Sequence, residues 1–75
     1  MKPYKNLNGT SGITAYEIGP KSITLEFADG TAYLYTYRSA GKERIEKMKQ
    51  LAIQGQGLNT FINDVFKKGY AEKLR

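Results

Sequence analysis

The chain has 75 residues, of which 40% are hydrophobic and 25% are charged, the composition of one small globular domain. Lysine and arginine number 12 against 7 acidic residues, which gives a net charge of +5. Cysteine and histidine are absent from the sequence, which excludes disulfides, thiolate nucleophiles, cysteine–histidine zinc sites and histidine-based acid–base catalysis.

Neither the apolar runs nor the acidic residues indicate a membrane segment or a catalytic centre. The apolar runs are only a handful of residues long, whereas a membrane-spanning helix needs about 20. A secretory signal requires an apolar stretch after its basic residues, and the lysines near the N-terminus are not followed by one. Nothing in the sequence places two of the carboxylates together in an apolar cleft, as glycosidase chemistry needs. We therefore expect a cytoplasmic, non-enzymatic protein with no metal, no cofactor and no membrane partner.

The excess positive charge lies in residues 1–8, 42–49 and 67–75, at both ends of the chain and in one segment after its middle. The pI of about 9.6 is typical of nucleic-acid-binding domains. It is also common in small proteins without that role, because net charge keeps a small domain soluble. Charge alone therefore leaves nucleic-acid binding as one hypothesis among others.

Three short strands are predicted in the first half of the chain. Ile13 to Ile18 forms the first, and Gly19-Pro20-Lys21 forms a turn after it. Ser22 to Ala28 alternates between apolar and polar side chains, the period of a half-buried strand. Asp29-Gly30 is a strong hairpin signal, and Thr31 to Tyr37 alternates again.

Two helices are predicted in the second half. Lys42 to Gln54 places Ile45, Met48 and Ala52 on one face, and the glycines of Gly55-Gln56-Gly57 end this helix. The second helix runs from Leu58 to Lys68, with apolar residues at the spacing of an amphipathic helix.

This order of elements predicts an α+β fold: a three-stranded antiparallel β-meander followed by two helices packed on one face (βββαα). A single domain spans residues 1–75, with a core over about 10–68, a lead-in over 1–9 and a basic tail over 69–75. The residues that we expect to be buried are Leu25, Phe27, Phe61, Ile62 and Val65.

The alternating tyrosines of the third strand have two interpretations, which depend on the hairpin turn. If Asp29-Gly30 is a two-residue turn, Glu26 faces Tyr33, and the tyrosines form an exposed platform that can stack bases. If Ala28-Asp29-Gly30 is a three-residue loop with a bulge, Leu25 faces Tyr33, and the tyrosines join the core. We favour the second register, because it gives one cleanly apolar face and because a one-residue shift moves every side chain to the other face.

Gly55-Gln56-Gly57 lies ahead of a predicted helix, as do phosphate-binding loops. A P-loop requires a lysine–serine pair after its glycines, and this loop is not followed by one. No predicted strand directly precedes it. We therefore interpret it as a turn between two helices.

Several short motifs resemble the KTSC domain family, over about residues 10–66. The family is marked by a Tyr-x-Tyr pair after a strand and a glycine turn, and later by a Gly-x-x-Leu/Phe-Asn-x-x-Ile run. In this chain the first motif is matched by Tyr33 and Tyr35. The matching residues are Ser11-Gly12-Ile13, Tyr16, Ile23-Thr24-Leu25-Glu26-Phe27, Asp29-Gly30, Tyr33-Leu34-Tyr35, Gly55, Leu58-Asn59 and Ile62.

KTSC domains occur as small stand-alone bacterial proteins and at the C-terminus of some lysyl-tRNA synthetases. The resemblance therefore implies a bacterial protein, and the attachment to a tRNA synthetase suggests RNA as a ligand. The chain departs from the family between residues 36 and 41, where many members have Val-Pro before the first helix.

Our leading hypothesis from the sequence is a small binding module for RNA or another single-stranded nucleic acid. Its alternative is a protein-interaction or accessory domain in which the tyrosines are structural and a sheet edge accepts a partner strand. The candidate nucleic-acid-binding residues are Tyr33, Tyr35, Tyr37, Arg38, Lys67, Lys68, Lys73 and Arg75.

Overall fold

A computed structural model describes residues 1–7, 12–58, 60–62 and 69–75. Its described part is an α+β fold built on an antiparallel sheet whose strands lie side by side in chain order. The strands are β1 (Lys2–Pro3), β2 (Ile13–Gly19), β3 (Ser22–Phe27), β4 (Ala32–Thr36) and β5 (Tyr70–Lys73). In the described ranges, β4 is followed by the helices α1 (Tyr37–Ala40) and α2 (Lys42–Gln54). Leu58 and residues 60–62 are also helical.

The hairpin between β3 and β4 fixes the orientation of the tyrosines. The Phe27 N–H donates to the Thr31 carbonyl at 2.8 Å, and the Gly30 N–H donates to the Phe27 carbonyl at 2.9 Å. Gly30 has φ +91°, a conformation that glycine adopts without strain. Leu25 therefore lies opposite Tyr33, which confirms the three-residue loop and places the tyrosines on the apolar side of the hairpin.

Helix α2 has the bounds that its sequence predicts. Its buried residues are Ile45, Met48 and Ala52, the predicted apolar face. They form one hydrophobic cluster with side chains of the sheet, among them Leu25 and Tyr35. The helix therefore covers the face of the sheet that carries these two residues, which we call the covered face.

Helix α1 corrects the predicted end of the third strand, since Tyr37 is its first residue rather than a strand residue. The cause is a local capping box. The Ser39 N–H donates to Thr36 Oγ1 at 3.0 Å, and the Thr36 N–H donates to Ser39 Oγ at 3.0 Å. These reciprocal bonds satisfy backbone donors that a new helix otherwise leaves free.

The predicted lead-in over residues 1–9 is wrong for its described part. Strand β1 pairs with β2, and Tyr4 is only 6% exposed. The Tyr4 N–H donates to the Thr14 carbonyl at 2.9 Å, and the Leu7 N–H donates to the Gly55 carbonyl at 2.7 Å. This segment is therefore packed against both the sheet and the end of α2.

The predicted basic tail over residues 69–75 is also wrong. Strand β5 pairs with β4, with Lys73 opposite Tyr33 and Glu72 opposite Leu34. Ser39 Oγ donates to the Gly69 carbonyl at 2.6 Å, which ties the start of this segment to α1. Without β5, the second edge of β4 would leave its backbone hydrogen-bonding groups unpaired.

The predicted core is confirmed in part. Leu25 and Ile62 are buried, whereas Phe27 and Phe61 are half-buried and pack on the edge of the cluster. Val65 lies outside the described residues, as does all of the second predicted helix beyond Ile62. The prediction of three strands and two helices is therefore correct in class, but the described part of the sheet has two further strands.

Candidate nucleic-acid interface

Two of the predicted platform tyrosines, Tyr33 and Tyr35, belong to the covered face. Tyr35 is fully buried. Burial is the main cause that raises the pKa of its hydroxyl above the ordinary range, and electrostatic repulsion by Tyr33 and Tyr70 adds to it. Tyr33 is half-buried and packs edge-on against Phe27, with ring centroids 5.9 Å apart. Its centroid lies 4.8 Å from that of Tyr70. Tyr35 therefore cannot stack on a ligand, and Tyr33 already packs against other aromatic rings.

The opposite face of the sheet is acidic. One row of this face runs across four strands, each residue being the cross-strand partner of the next: Glu17, Thr24, Leu34 and Glu72. Glu26 lies in a neighbouring row of the same face, but it pairs with Arg75, so Glu17 and Glu72 carry the negative charge of this face. Carboxylates repel phosphate groups, so this acidic face is a poor surface for nucleic acid.

Tyr37 is the tyrosine that the structure presents in a basic environment, and its ring is held from several sides. Its hydroxyl donates to Glu46 Oε2 at 2.6 Å. Lys49 Nζ lies 3.1 Å from the same oxygen and 5.6 Å from the centroid of the Tyr37 ring, above its face. The ammonium also donates to the Pro20 carbonyl at 3.3 Å, which links α2 to the turn between β2 and β3.

These contacts shift both titratable groups away from their ordinary pKa values. The hydrogen bond to Glu46 raises the pKa of the Tyr37 hydroxyl, with burial and the negative charge of Glu46 adding to the effect. The same bond, together with that from Lys49, holds the pKa of Glu46 below its usual range. At neutral pH the pair is therefore a neutral phenol donating to a carboxylate, which fixes the ring orientation.

A shallow pocket of about 540 Å³ opens beside this ring. It forms where the β2–β3 turn meets the junction of β4 and α1, and the Tyr37 N–H donates to the Lys21 carbonyl at 3.0 Å across that junction. Most of the lining is apolar, while the cationic side chains of Lys21 and Arg38 are exposed at it. The lining residues are Pro20, Lys21, Ser22, Thr36, Tyr37 and Arg38.

The other predicted cations in the described part, Lys73 and Arg75, do not line this pocket. Lys73 lies on β5, opposite Tyr33. Arg75 forms an ion pair with Glu26, so its charge is largely compensated. Lys67 and Lys68 lie outside the described residues. Of the predicted site residues in the described part, the structure therefore brings Tyr37 and Arg38 together at one pocket.

Sequence reasoning missed two cations near Tyr37, namely Lys21 and Lys49. Lys21 belongs to a segment of slightly negative net charge, and its turn was interpreted only as a chain reversal. Lys49 belongs to a helix with many lysines, and nothing in its spacing distinguishes it. The Gly-Pro-Lys turn was the available signal, because Pro20 presents a carbonyl and an apolar ring beside a lysine.

The Gly55-Gln56-Gly57 loop acts as a turn, as the sequence indicated. Gly55 ends α2 in the left-handed conformation, with φ +82°, and its N–H donates to the Leu51 carbonyl at 2.9 Å. The Leu58 N–H donates to the Tyr4 hydroxyl at 3.4 Å. These two N–H groups are thus already bonded within the chain, which argues against a phosphate-binding role.

No protein-family model matches this chain, and no curated protein or solved structure is significantly similar to it. Across the described ranges, no three acidic residues come together as a group that could hold a metal ion. None of the helices in the same ranges is long and apolar enough to cross a membrane. The function is therefore inferred from the pocket and its charges.

Proposed function

We propose that this protein is a small non-enzymatic binding module that binds single-stranded RNA in the cytoplasm, through the basic surface around Tyr37. The observation that carries the proposal is the pocket at which an oriented aromatic ring meets two exposed cations, Lys21 and Arg38. Proteins that bind single strands without strict sequence preference combine stacking rings with cationic side chains that follow the phosphate backbone. The resemblance to KTSC domains, some of which are attached to a tRNA synthetase, supports the same ligand.

The distribution of charge favours an approach of RNA from the helical side. Two cations of α2 lie near Tyr37: Lys49, whose ammonium lies over the ring, and Lys42, whose charge helps to lower the pKa of Glu46. The carboxylates of Glu17 and Glu72 lie on the acidic face of the sheet. A polyanion is thereby attracted to the α2 side of the pocket and repelled from the part of the sheet that carries Glu17 and Glu72.

We test this function by titrating a fluorescently labelled 12-nucleotide RNA and following its anisotropy. If about 4 phosphates are contacted, log affinity should fall against log salt with a slope of about −3, a loss of roughly 50-fold from 50 to 200 mM salt. The variant K21Q/R38Q should reduce the slope by about 1.4, because each lost phosphate contact contributes about 0.7.

The matched control is R44Q/K47Q, which removes the same charge from exposed positions of α2 outside the pocket. It should preserve most of the slope. Equal effects of the two double variants would show that binding follows net charge rather than the pocket. Absence of binding at protein concentrations near 1 mM in 50 mM salt would overturn the proposed function.

The second candidate function is a protein-interaction domain that accepts a partner strand. The observation in its favour is β5, which is the last strand of the described sheet and has four exposed residues, Tyr70–Lys73. A strand at a sheet edge presents backbone groups that can pair with an extended peptide. Capture of a partner whose binding is lost when β5 is altered, and retained in K21Q/R38Q, would favour this function.

A further inference from the structure

We infer that the Tyr37 pocket is a nucleotide subsite, in which one unstacked nucleobase lies against the Tyr37 ring and neighbouring phosphates contact Lys21 and Arg38. The inference rests on the proposed function and deepens it, because it names the unit that is bound. A nucleoside monophosphate should then bind to the pocket on its own.

The first step is that the ring is already fixed in position before a ligand arrives. The Tyr37 hydroxyl is bound to Glu46, its backbone N–H is bound to the Lys21 carbonyl, and the Lys49 ammonium lies over the ring. A side chain that is held in this way loses little conformational freedom when it binds, so more of the stacking energy contributes to affinity. Tyr37 packs against the core cluster as Tyr33 does, but it also lines the pocket, whereas Tyr33 and Tyr35 are not among the lining residues.

The second step concerns the size and chemistry of the pocket. A volume of about 540 Å³ lies within the range of small-molecule sites, about 300–1,000 Å³. The lining surface is mostly apolar, and Pro20 and Tyr37 are among its residues. A flat, largely apolar ring with polar edges fits such a lining better than a phosphate group alone does.

The third step is the position of the two cations. Lys21 lies in the turn before β3, and Arg38 lies in α1, so they approach the pocket from different chain segments. A base on Tyr37 has one phosphate on its 5′ side and another on its 3′ side within an RNA chain. Two cations from separate segments can therefore contact both phosphates.

The subsite also implies a preference for single strands. A base within a duplex is stacked on both faces and paired at its edge, so it reaches a protein ring only after it is extruded from the stack. Because a single strand presents bases that are already free to leave the stack, we expect the 12-nucleotide RNA to bind more tightly than a duplex of the same length.

The first test uses the unmodified protein, so it does not depend on the folding of any variant. Adenosine 5′-monophosphate and ribose 5-phosphate are titrated separately, and the amide signals of Lys21, Ser22, Tyr37 and Arg38 are followed by NMR. The nucleotide should shift these signals, and the sugar phosphate, which has the charge but not the base, should bind at least about fivefold more weakly. Equal affinities would overturn the subsite, because they would show a site for phosphate alone.

The second test uses the RNA titration with variants of the ring. Tyr37→Ala should weaken binding by roughly 5- to 150-fold, the fold-change that corresponds to the loss of one stacked base. The salt slope should stay unchanged, because the ring carries no charge. Tyr37→Phe keeps the ring and should retain most of the affinity, and Tyr70→Ala, a change at an exposed tyrosine outside the pocket, should leave it unchanged.

The outcomes separate this inference from the function on which it rests. RNA binding that is unaffected in Tyr37→Ala overturns the nucleotide subsite and leaves the RNA-binding function standing. Binding of adenosine 5′-monophosphate without binding of RNA supports the subsite and overturns the function.

Discussion

Replacing Tyr4 tests whether the N-terminal segment belongs to the folded domain. Its ring is only 6% exposed and belongs to the main hydrophobic cluster. Truncating a buried aromatic side chain to alanine costs about 3–5 kcal/mol. A domain of 75 residues has about 4–11 kcal/mol of total stability, at 0.05–0.15 kcal/mol per residue. Tyr4→Ala should therefore lower the Tm by at least about 12 °C, given about 4–8 °C for each kcal/mol in a domain of this size.

The conservative variant separates the ring from its hydroxyl. Tyr4→Phe keeps the packed ring but removes the acceptor of the Leu58 N–H, whose distance to the hydroxyl is 3.4 Å. Because this bond is long, we expect a loss at the low end of the range for an unsatisfied buried donor, about 1 kcal/mol, or about 4–8 °C.

Thermal denaturation followed by circular dichroism measures both variants. The matched control is Leu7→Ala in the same segment, where the side chain is 62% exposed and the change should stay within about 0.5 kcal/mol. A Tm of Tyr4→Ala within about 2 °C of that of the unmodified protein would show instead that the segment adds nothing to the core.

Three further changes test other points of the structure. Tyr35→Phe removes a buried hydroxyl that has no hydrogen-bond partner among the described residues, so urea denaturation should show a gain of about 1 kcal/mol, and a clear loss would reveal a partner. The lowered pKa of Glu46 stabilises the folded protein above about pH 4.3, and this stabilisation is lost as the pH falls through the lowered pKa. In Glu46→Gln the free energy of unfolding should therefore fall less steeply on the acid side of the stability–pH curve, its acid limb. An unchanged acid limb would contradict this. Gly55 and Gly57 both have φ near +80°, so an alanine at either position costs about 1–2 kcal/mol. Gly55→Ala should lower the Tm more, because its Cβ would lie only 2.6 Å from Lys5 Cβ. Equal losses would argue against that close approach.

The elements that could be predicted are those specified by neighbouring residues. Helix α2 has its predicted bounds because its apolar residues repeat with the helical period and Gly41 and Gly55 flank it. The register of the central hairpin followed from Ala28-Asp29-Gly30, because a three-residue loop pairs apolar side chains with one another.

The two outer strands could not be predicted, because each is too short to show a period. Strand β1 has two residues and β5 has four, and each forms by pairing with a strand that is distant in sequence. Tyr4 is buried for the same reason: its partners, Thr14 and Leu58, are supplied by other parts of the fold. The KTSC resemblance begins at about residue 10 and so gave no indication of β1.

The order of residues along the chain is enough to give the α+β class, the basic net charge, the lack of cysteine and histidine chemistry, and the residues available to bind an anion. Which tyrosine lies beside cationic side chains depends on the tertiary structure. Tyr33 and Tyr35 are alternate residues of β4 and therefore both lie on the covered face. Thr36 caps helix α1, which begins at Tyr37, so Tyr37 is not part of the sheet. Lys21 and Lys49 then reach Tyr37 from the β2–β3 turn and from α2, because antiparallel pairing and helix packing bring together residues that no local pattern connects.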